Sequence, residues 1–254
     1  MNPQPLPEEV RKRYNFSYNT AISGNSLNGD YLSYELANEE AFLNLQLLAL
    51  ADTGFGDLET LLFSGFNEGL LPFKPRILDI GCATGSLLEK LKKAGWDVTG
   101  VEISVPQAEY GRQKRGLDVR TLPLEENHFP LGHFNVVLAS HLIEHLNDPA
   151  ALIREVRRIL APEGRFFITT PNIDGFQAKL FKEKWRSAIF DHLYLFSVKT
   201  LSRLLVENGF LIEKIATWGG LASGTAPLPV KRIFDRAAKR FNFGDVMIIR
   251  AGAM

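Results

Sequence analysis

The chain has a single cysteine in 254 residues, Cys82. It cannot close an internal disulfide or build a cysteine-rich zinc site, and Cys82 reads as a small buried residue rather than a redox centre. No apolar run approaches the roughly 18 residues of a membrane span. The polar start, Met1-Asn-Pro-Gln-Pro, has no secretory leader pattern, so the expected compartment is the cytoplasm. Charge of one sign is also missing, since 29 Lys and Arg balance 29 Asp and Glu. Without a net field, neither nucleic acid nor an anionic membrane is the expected partner. Repeats and low-complexity tracts are absent. What remains has the hydrophobic and charged fractions of a soluble globular protein, long enough for one α/β domain with additions.

The informative stretch is Arg76–Ser86. Ile77, Leu78 and Ile80 form a short apolar run broken only by Asp79. A small-residue turn follows, Gly81-Cys-Ala-Thr-Gly85, and then Leu87, Leu88 and Leu91 at helical spacing. This is a strand, a tight turn and a helix, with no bulky side chain in the turn. A ligand can approach such a backbone closely, near the amides that open the helix. Val98–Glu102 reads as a second strand ending in an acid, and a carboxylate there suits the two hydroxyls of a ribose.

The same rhythm continues. Ser104-Val-Pro-Gln107 matches a capping box and opens a helix closed by Gly116. Leu117–Thr121 is a third strand, Leu122–Gly132 a loop, and Phe134–Ser140 a fourth strand covered on both faces. Asp148-Pro149 starts a helix with a stripe of Leu152, Val156, Ile159 and Leu160. Pro162-Glu-Gly164 is a turn before a fifth strand, Arg165–Thr170. Ser197–Asn208 is a capped helix, Phe210–Trp218 a sixth strand, and Asp245–Arg250 the last.

Asp79-Ile-Gly81-Cys-Ala-Thr-Gly85, with Glu102 after the next strand, resembles the class I S-adenosylmethionine-dependent methyltransferases. Phe134–Pro149, with Glu144-His145 inside it, looks like their fourth strand and following loop. Asp191-His-Leu-Tyr-Leu-Phe-Ser197 through Asn208-Gly-Phe210 is similar to a subgroup near the ubiquinone-type small-molecule O-methyltransferases. The resemblance spans roughly residues 75–218 plus a final strand. It implies a doubly wound, seven-stranded, mostly parallel Rossmann-like sheet whose last strand is antiparallel and inserted beside the sixth. Residues 75–254 would form the S-adenosylmethionine-binding domain, and residues 1–74 an N-terminal helical extension serving as a lid or as packing.

The implied cofactor is S-adenosylmethionine, leaving as S-adenosylhomocysteine. By resemblance Gly81, Cys82, Ala83 and Gly85 lie against its methionine and ribose portions. Asp79 orients the turn or reaches the amino group, Glu102 takes the ribose hydroxyls, and Ile103 covers the adenine. Leu124 and Glu125 line the adenine, with Asp118 as the rival acid, while Ser140 and His141 close the fourth strand on the cofactor side. Many members have Gly where this chain has Ala83, a change that is tolerable if the backbone there keeps negative φ. Asn135 replaces a common Asp and alters a structural hydrogen bond.

His145, in the loop after the fourth strand, and His192, in the long insertion 171–196, are the candidate bases for an oxygen acceptor. Either can instead be structural. Tyr14, Tyr18, Trp185 and Tyr194 are candidate substrate-binding aromatics. No metal set is evident, because Asp148, Asp174 and Asp191 are dispersed. Pro171-Asn172 matches only part of an amino-methylating motif. Residues 230–241 read as an amphipathic helix with Val230, Ile233, Phe234, Ala237 and Phe241 on one side and five cations on the other, either a solvated face or a weak membrane-surface contact. The expected acceptor is a small molecule, and the chain a monomer or homodimer. The alternatives are N- or C-methylation of a glycan or lipid-linked acceptor, or a catalytically silent cofactor-binding partner. A nicotinamide dehydrogenase would want Gly-x-Gly-x-x-Gly, whereas the order here is Gly81-x-x-x-Gly85.

Overall fold

A computed structural model describes residues 31–69, 73–220 and 228–254. Tyr14 and Tyr18 lie outside them. Two helices come first, α1 (Tyr31–Asp52) and α2 (Phe55–Asn67). The alternating part follows as β1 (Arg76–Ile80), α3 (Ser86–Lys93), β2 (Asp97–Val101), α4 (Val105–Arg115), β3 (Asp118–Arg120), β4 (Phe134–Ser140), α5 (Pro149–Ile159) and β5 (Leu160–Pro171). After the short α6 (Phe176–Phe181) come α7 (Val198–Glu207), β6 (Phe210–Trp218), α8 (Leu228–Phe241) and β7 (Val246–Ala253).

The strands form one seven-stranded sheet in the order β3-β2-β1-β4-β5-β7-β6. β1 to β5 pair in parallel, and β7 runs antiparallel between β5 and β6. This is the doubly wound, mostly parallel architecture expected, with its antiparallel strand in the expected slot. The strand order reverses between β1 and β4, which opens a crevice at their carboxyl ends.

Each face of the sheet carries its own core. On one side α5 and α7 supply Leu152, Ile153, Val156, Leu201 and Leu205 against Leu78, Val137 and Phe166. On the other, Leu87, Leu88 and Leu91 of α3 and Ala108 of α4 join Ile77, Val136 and Phe167. Ala49, Leu50 and Phe55 from the N-terminal helices belong to this second core. Phe55 stacks on Trp96 at 5.6 Å between centroids and meets Phe167 edge-on at 5.7 Å. Phe63 of α2 meets Trp96 edge-on at 5.5 Å, and the Trp96 indole donates to Glu59 Oε1 at 2.7 Å. One buried tryptophan thus receives three side chains of the N-terminal extension.

Several local expectations change. Ser104 is the N-cap of α4, but its hydroxyl donates to Gln107 Oε1 instead of capping a backbone amide. Pro106 removes one candidate donor, and the Ser104 amide is already given to Glu102 Oε1 at 2.8 Å. Pro162-Glu-Gly164 does not separate the α5 helix from a new strand. It is an excursion inside β5, where pairing with β4 jumps from Phe134–Leu160 to Val136–Arg165 and Glu163 turns through φ 60°. In α8, Ile233 and Phe241 are exposed rather than packed, while Ala238 is buried and its carbonyl accepts from Thr217 Oγ1 at 2.7 Å. Lys231 and Lys239 of the same helix are paired with Asp235 and Asp52. The Ser197 cap forms as read, a reciprocal box with Thr200.

Truncating Phe55→Ala removes the aromatic that joins extension, Trp96 and sheet. Urea unfolding should show a loss of about 3 kcal/mol. A loss below about 1 kcal/mol would mean that the extension is not part of the cooperative fold.

Candidate functional site

The turn after β1 alternates handedness, with Gly81 at φ 76°, Ala83 at φ 52° and Gly85 at φ 80°. Ala83 therefore does not keep the negative φ on which its tolerance was premised. It holds a left-handed conformation that costs an L-residue on the order of 1 kcal/mol. Its amide is fixed there by donating to Glu102 Oε2 at 3.0 Å. Gly85 is held by space as well as by φ, since a Cβ would stand 2.5 Å from Leu117 Cδ1. Cys82 packs its sulfur against Gly100 of β2, where a Cβ would stand 2.6 Å from Sγ. Burial, then Asp79 and Glu102, push the Cys82 thiol well above its ordinary range, consistent with an inert packing role.

The turn's amides are not available to a ligand anion. Ala83 N–H donates to Glu102, and Thr84 N–H donates to Glu35 Oε1 at 2.9 Å. Glu35 comes from α1, forty-nine residues away in sequence, and also accepts from Thr84 Oγ1 at 2.8 Å. Three buried carboxylates, Glu35, Asp79 and Glu102, thus surround one turn. Asp79 and Glu102 are both pushed up to about 7, in each case chiefly by burial. Glu102 raises Asp79 further, Glu35 raises Glu102, and the Ser104 and Ala83 amides oppose the rise of Glu102. Burial raises Glu35 as well, against the opposing hydrogen bonds from Thr84.

These groups line a cavity of about 1030 Å³ beyond the carboxyl ends of β1, β2 and β4. It is larger than the roughly 300–1,000 Å³ of a pocket for one small ligand. Gly81, Cys82, Ala83, Ile103, Leu124, Glu125, Ser140 and His141 are on its wall. Gly85 is not on the wall and serves as the N-cap of α3. Asp118 is exposed and paired with Arg120 at 3.6 Å, so of the two rival acids Glu125 is the one at the cavity.

The cavity wall also holds the histidines. His145 Nδ1 is 2.9 Å from Asp191 O, and His192 Nδ1 is 2.8 Å from Ser187 O. A carbonyl partner requires that Nδ1 carry hydrogen, which leaves the lone pair of each neutral ring on Nε2. The rings meet edge-on at 4.7 Å. Burial, reinforced by His145, lowers the pKa of His192, which keeps it neutral at physiological pH. Beneath them Glu144 is fully buried, with Oε1 3.3 Å from His141 Nδ1 and Oε2 accepting from Thr170 Oγ1 at 2.9 Å. Burial alone would raise this carboxyl, but the His141 contact and the charges of His141 and His145 together hold it below its ordinary value. Possible ligand atoms of Glu144, His145 and His192 lie within 4.8 Å of one another, a grouping the dispersed aspartates did not suggest. Both Glu144 oxygens are already in hydrogen bonds, which accounts for its position without an ion.

Two expected substrate aromatics are elsewhere. Trp185 is buried off the cavity wall, and its indole donates to Asp245. Tyr194 donates to Asn147 O at 3.2 Å and stacks on Phe196, also off the wall. The residue after Trp185, Arg186, is on the wall, with Nε donating to Asp245 Oδ2 at 2.7 Å. It is the one Lys or Arg lining the cavity among the described residues. Asn172 is structural, its amide donating to Gly244 O at 2.9 Å. Asn135 accepts from the Arg76 amide at 2.9 Å, a structural bond as expected.

The sequence profile of the methyltransferase domain family matches residues 43–215, more than half of the chain. The chain belongs to the methyltransferase domain family. Its fold is that of the solved S-adenosylmethionine-dependent methyltransferases. Among similar proteins is a ubiquinone biosynthesis O-methyltransferase of Acinetobacter baumannii (strain AYE), 29% identical over 104 residues, covering 38% of this chain and 44% of the relative. That of Caulobacter sp. (strain K31) is 32% identical over 117 residues, covering 43% and 46%. The chain thus spans under half the length of these relatives. An S-adenosylmethionine-dependent methyltransferase from Archaeoglobus fulgidus superimposes with TM-score 0.59 at 22% identity, covering 88% of this chain and all of that one. Geranyl diphosphate C-methyltransferase from Streptomyces coelicolor A3(2), solved with Mg2+, geranyl diphosphate and S-adenosyl-L-homocysteine, superimposes with TM-score 0.61 at 17% identity, covering 98% and 99%. At these identities the solved structures speak for the fold. Among the described residues of the methyltransferase, no helix is long and apolar enough to cross a membrane.

The raised carboxyls make a stability prediction. The folded methyltransferase keeps protons on Asp79 and Glu102 where the unfolded chain has released them. Their stabilising contribution is therefore complete below about pH 4 and is lost as pH rises through about 7. Asp79→Asn should raise the melting temperature of the ligand-free protein near pH 8 and change it little near pH 4. An equal shift at both pH values would contradict the burial of a titrating acid.

Proposed function

We propose that the methyltransferase transfers the methyl group to the hydroxyl of a small-molecule acceptor, with His192 as general base. The observation that carries this reading is the arrangement of one cavity. Three buried carboxylates surround the turn, and the same cavity holds a histidine pair whose Nδ1 atoms sit against backbone carbonyls. A turn whose amides are taken by carboxylates disfavours a pyrophosphate and favours a cation. The cofactor is such a cation, and when bound it supplies an electrophilic methyl group on sulfur.

In this reading Glu102 holds the ribose. Each of its oxygens has accepted one backbone hydrogen bond and keeps a lone pair for a hydroxyl. Ile103 and Leu124 frame the adenine, and Glu125 is placed for its amino group. Asp79 sits under the turn and offsets positive charge. His192 Nε2 would take the proton that the acceptor hydroxyl loses as its oxygen bonds the methyl carbon and the carbon–sulfur bond breaks, with S-adenosylhomocysteine as the leaving group. Ser187 O keeps that lone pair on Nε2, and His145, anchored on Asp191 O, packs against the ring and fixes its angle. Oxygen as the acceptor atom is supported by the two O-methyltransferases matched above. Arg186 would steer an anionic substituent of the acceptor.

The test is S-adenosylhomocysteine release across a panel of phenols and catechols, followed by His192→Asn on the best acceptor. The substitution should lower kcat by about 10²- to 10⁴-fold and leave cofactor affinity unchanged. The wild-type rate should rise with pH through a value below that of free histidine. Retained turnover in His192→Asn would remove the base, and S-adenosylmethionine binding without turnover on any acceptor class would favour a silent partner.

A further inference from the structure

We propose that Glu35, on the N-terminal helix α1, is a cofactor-binding residue whose second carboxylate oxygen receives the ammonium group of S-adenosylmethionine. The inference rests on the cofactor reading above and adds a ligand that comes from outside the sheet. Glu35 is 6% exposed and is divided between two roles. Its Oε1 is anchored twice on Thr84, from the amide and from the hydroxyl. Its Oε2 is buried and has no hydrogen-bond partner. A buried carboxylate oxygen left unpaired costs about 1–3 kcal/mol or more. The anchoring on Thr84 uses Oε1 alone and leaves the burial of Oε2 unexplained.

The surroundings narrow the missing partner to a cation. Glu35 lines the same cavity as Asp79 and Glu102, and Glu102 feels its charge. Arg115 attracts Glu35 but gives its Nη groups to Glu39 and Glu89 and is not on the cavity wall. Arg186, the cavity's one guanidinium, is held on Asp245. Among the described residues the cavity wall therefore has no Lys or Arg where the turn meets α1. The aminoacyl end of the cofactor carries an ammonium, three donors on one charge. Because Oε1 is fixed on Thr84, Oε2 is held beside the turn against which that end of the cofactor is expected to lie. A consequence is that the ligand ties α1 to the turn.

Calorimetry on the full chain with three nucleosides tests this. S-adenosylhomocysteine has the ammonium and the carboxylate. Its decarboxylated form keeps only the ammonium, and 5′-methylthioadenosine has neither. Glu35→Gln should weaken the first two by about 10- to 100-fold and leave 5′-methylthioadenosine within about twofold of wild type. The unchanged third affinity also reports that the variant is folded. Equal loss on all three ligands, or no loss on any, would overturn the role of Glu35. Failure of the wild-type protein to bind any of the three would overturn the cofactor reading beneath it.

Discussion

Everything at this site depends on how the turn after β1 disposes of its own amides. Backbone N–H groups at the start of a helix are ordinarily an anion site. Here Ala83 and Thr84 give theirs to Glu102 and Glu35, which converts a site for phosphate into a pocket with negative charge and spare acceptors. The conversion is costly in two ways. Ala83 is held left-handed, and the carboxylates are buried near one another with Asp79 beside them. A fold retains such features where ligand binding relieves them. A sulfonium nucleoside with an ammonium group is suited to relieve both the charge and the unpaired acceptor.

The N-terminal helices bear directly on this pocket. Phe55, Phe63 and Glu59 gather on Trp96 and place the extension in the same core as α3 and β2. That anchoring lets α1 pass over the turn and deliver Glu35. Glu39 adds a bridge through Arg115 to Glu89 of α3. The extension and the sheet therefore share one hydrophobic core and one polar seam. A change in the core around Trp96 would be felt at the cofactor turn through this seam.

Much of this was legible in the chain itself. The run from Ile77 to Leu91 carries its βα geometry in local pattern, because a strand buried on both faces and a helix buried on one leave different spacings. β4 and β6 are bounded as read, since apolar runs end where burial ends. The acid at Glu102 could be placed by its distance from Asp79 along the strand-helix-strand unit. Glu35 could not, because nothing local ties a glutamate on a helical stretch to a threonine forty-nine positions later. Trp185 misled for a related reason. An aromatic in a long irregular insertion reads as a binding residue, but its indole satisfies the buried Asp245, and the neighbouring Arg186 faces the cavity instead. The left-handed Ala83 was hidden because sequence reports which residue stands in a turn and not the φ it must adopt. The resemblance, not periodicity, supplied the antiparallel β7.

The proposed grip on the nucleoside lies between the β1 turn and the carboxylate at the end of β2. A crystal structure with S-adenosylhomocysteine tests it most directly. Adenosine should lie beyond the carboxyl ends of β1 and β2, with both ribose hydroxyls within hydrogen-bond distance of Glu102. A ligand seated elsewhere, or a ribose turned away from a Glu102 that stays on the Ala83 and Ser104 amides alone, would contradict it.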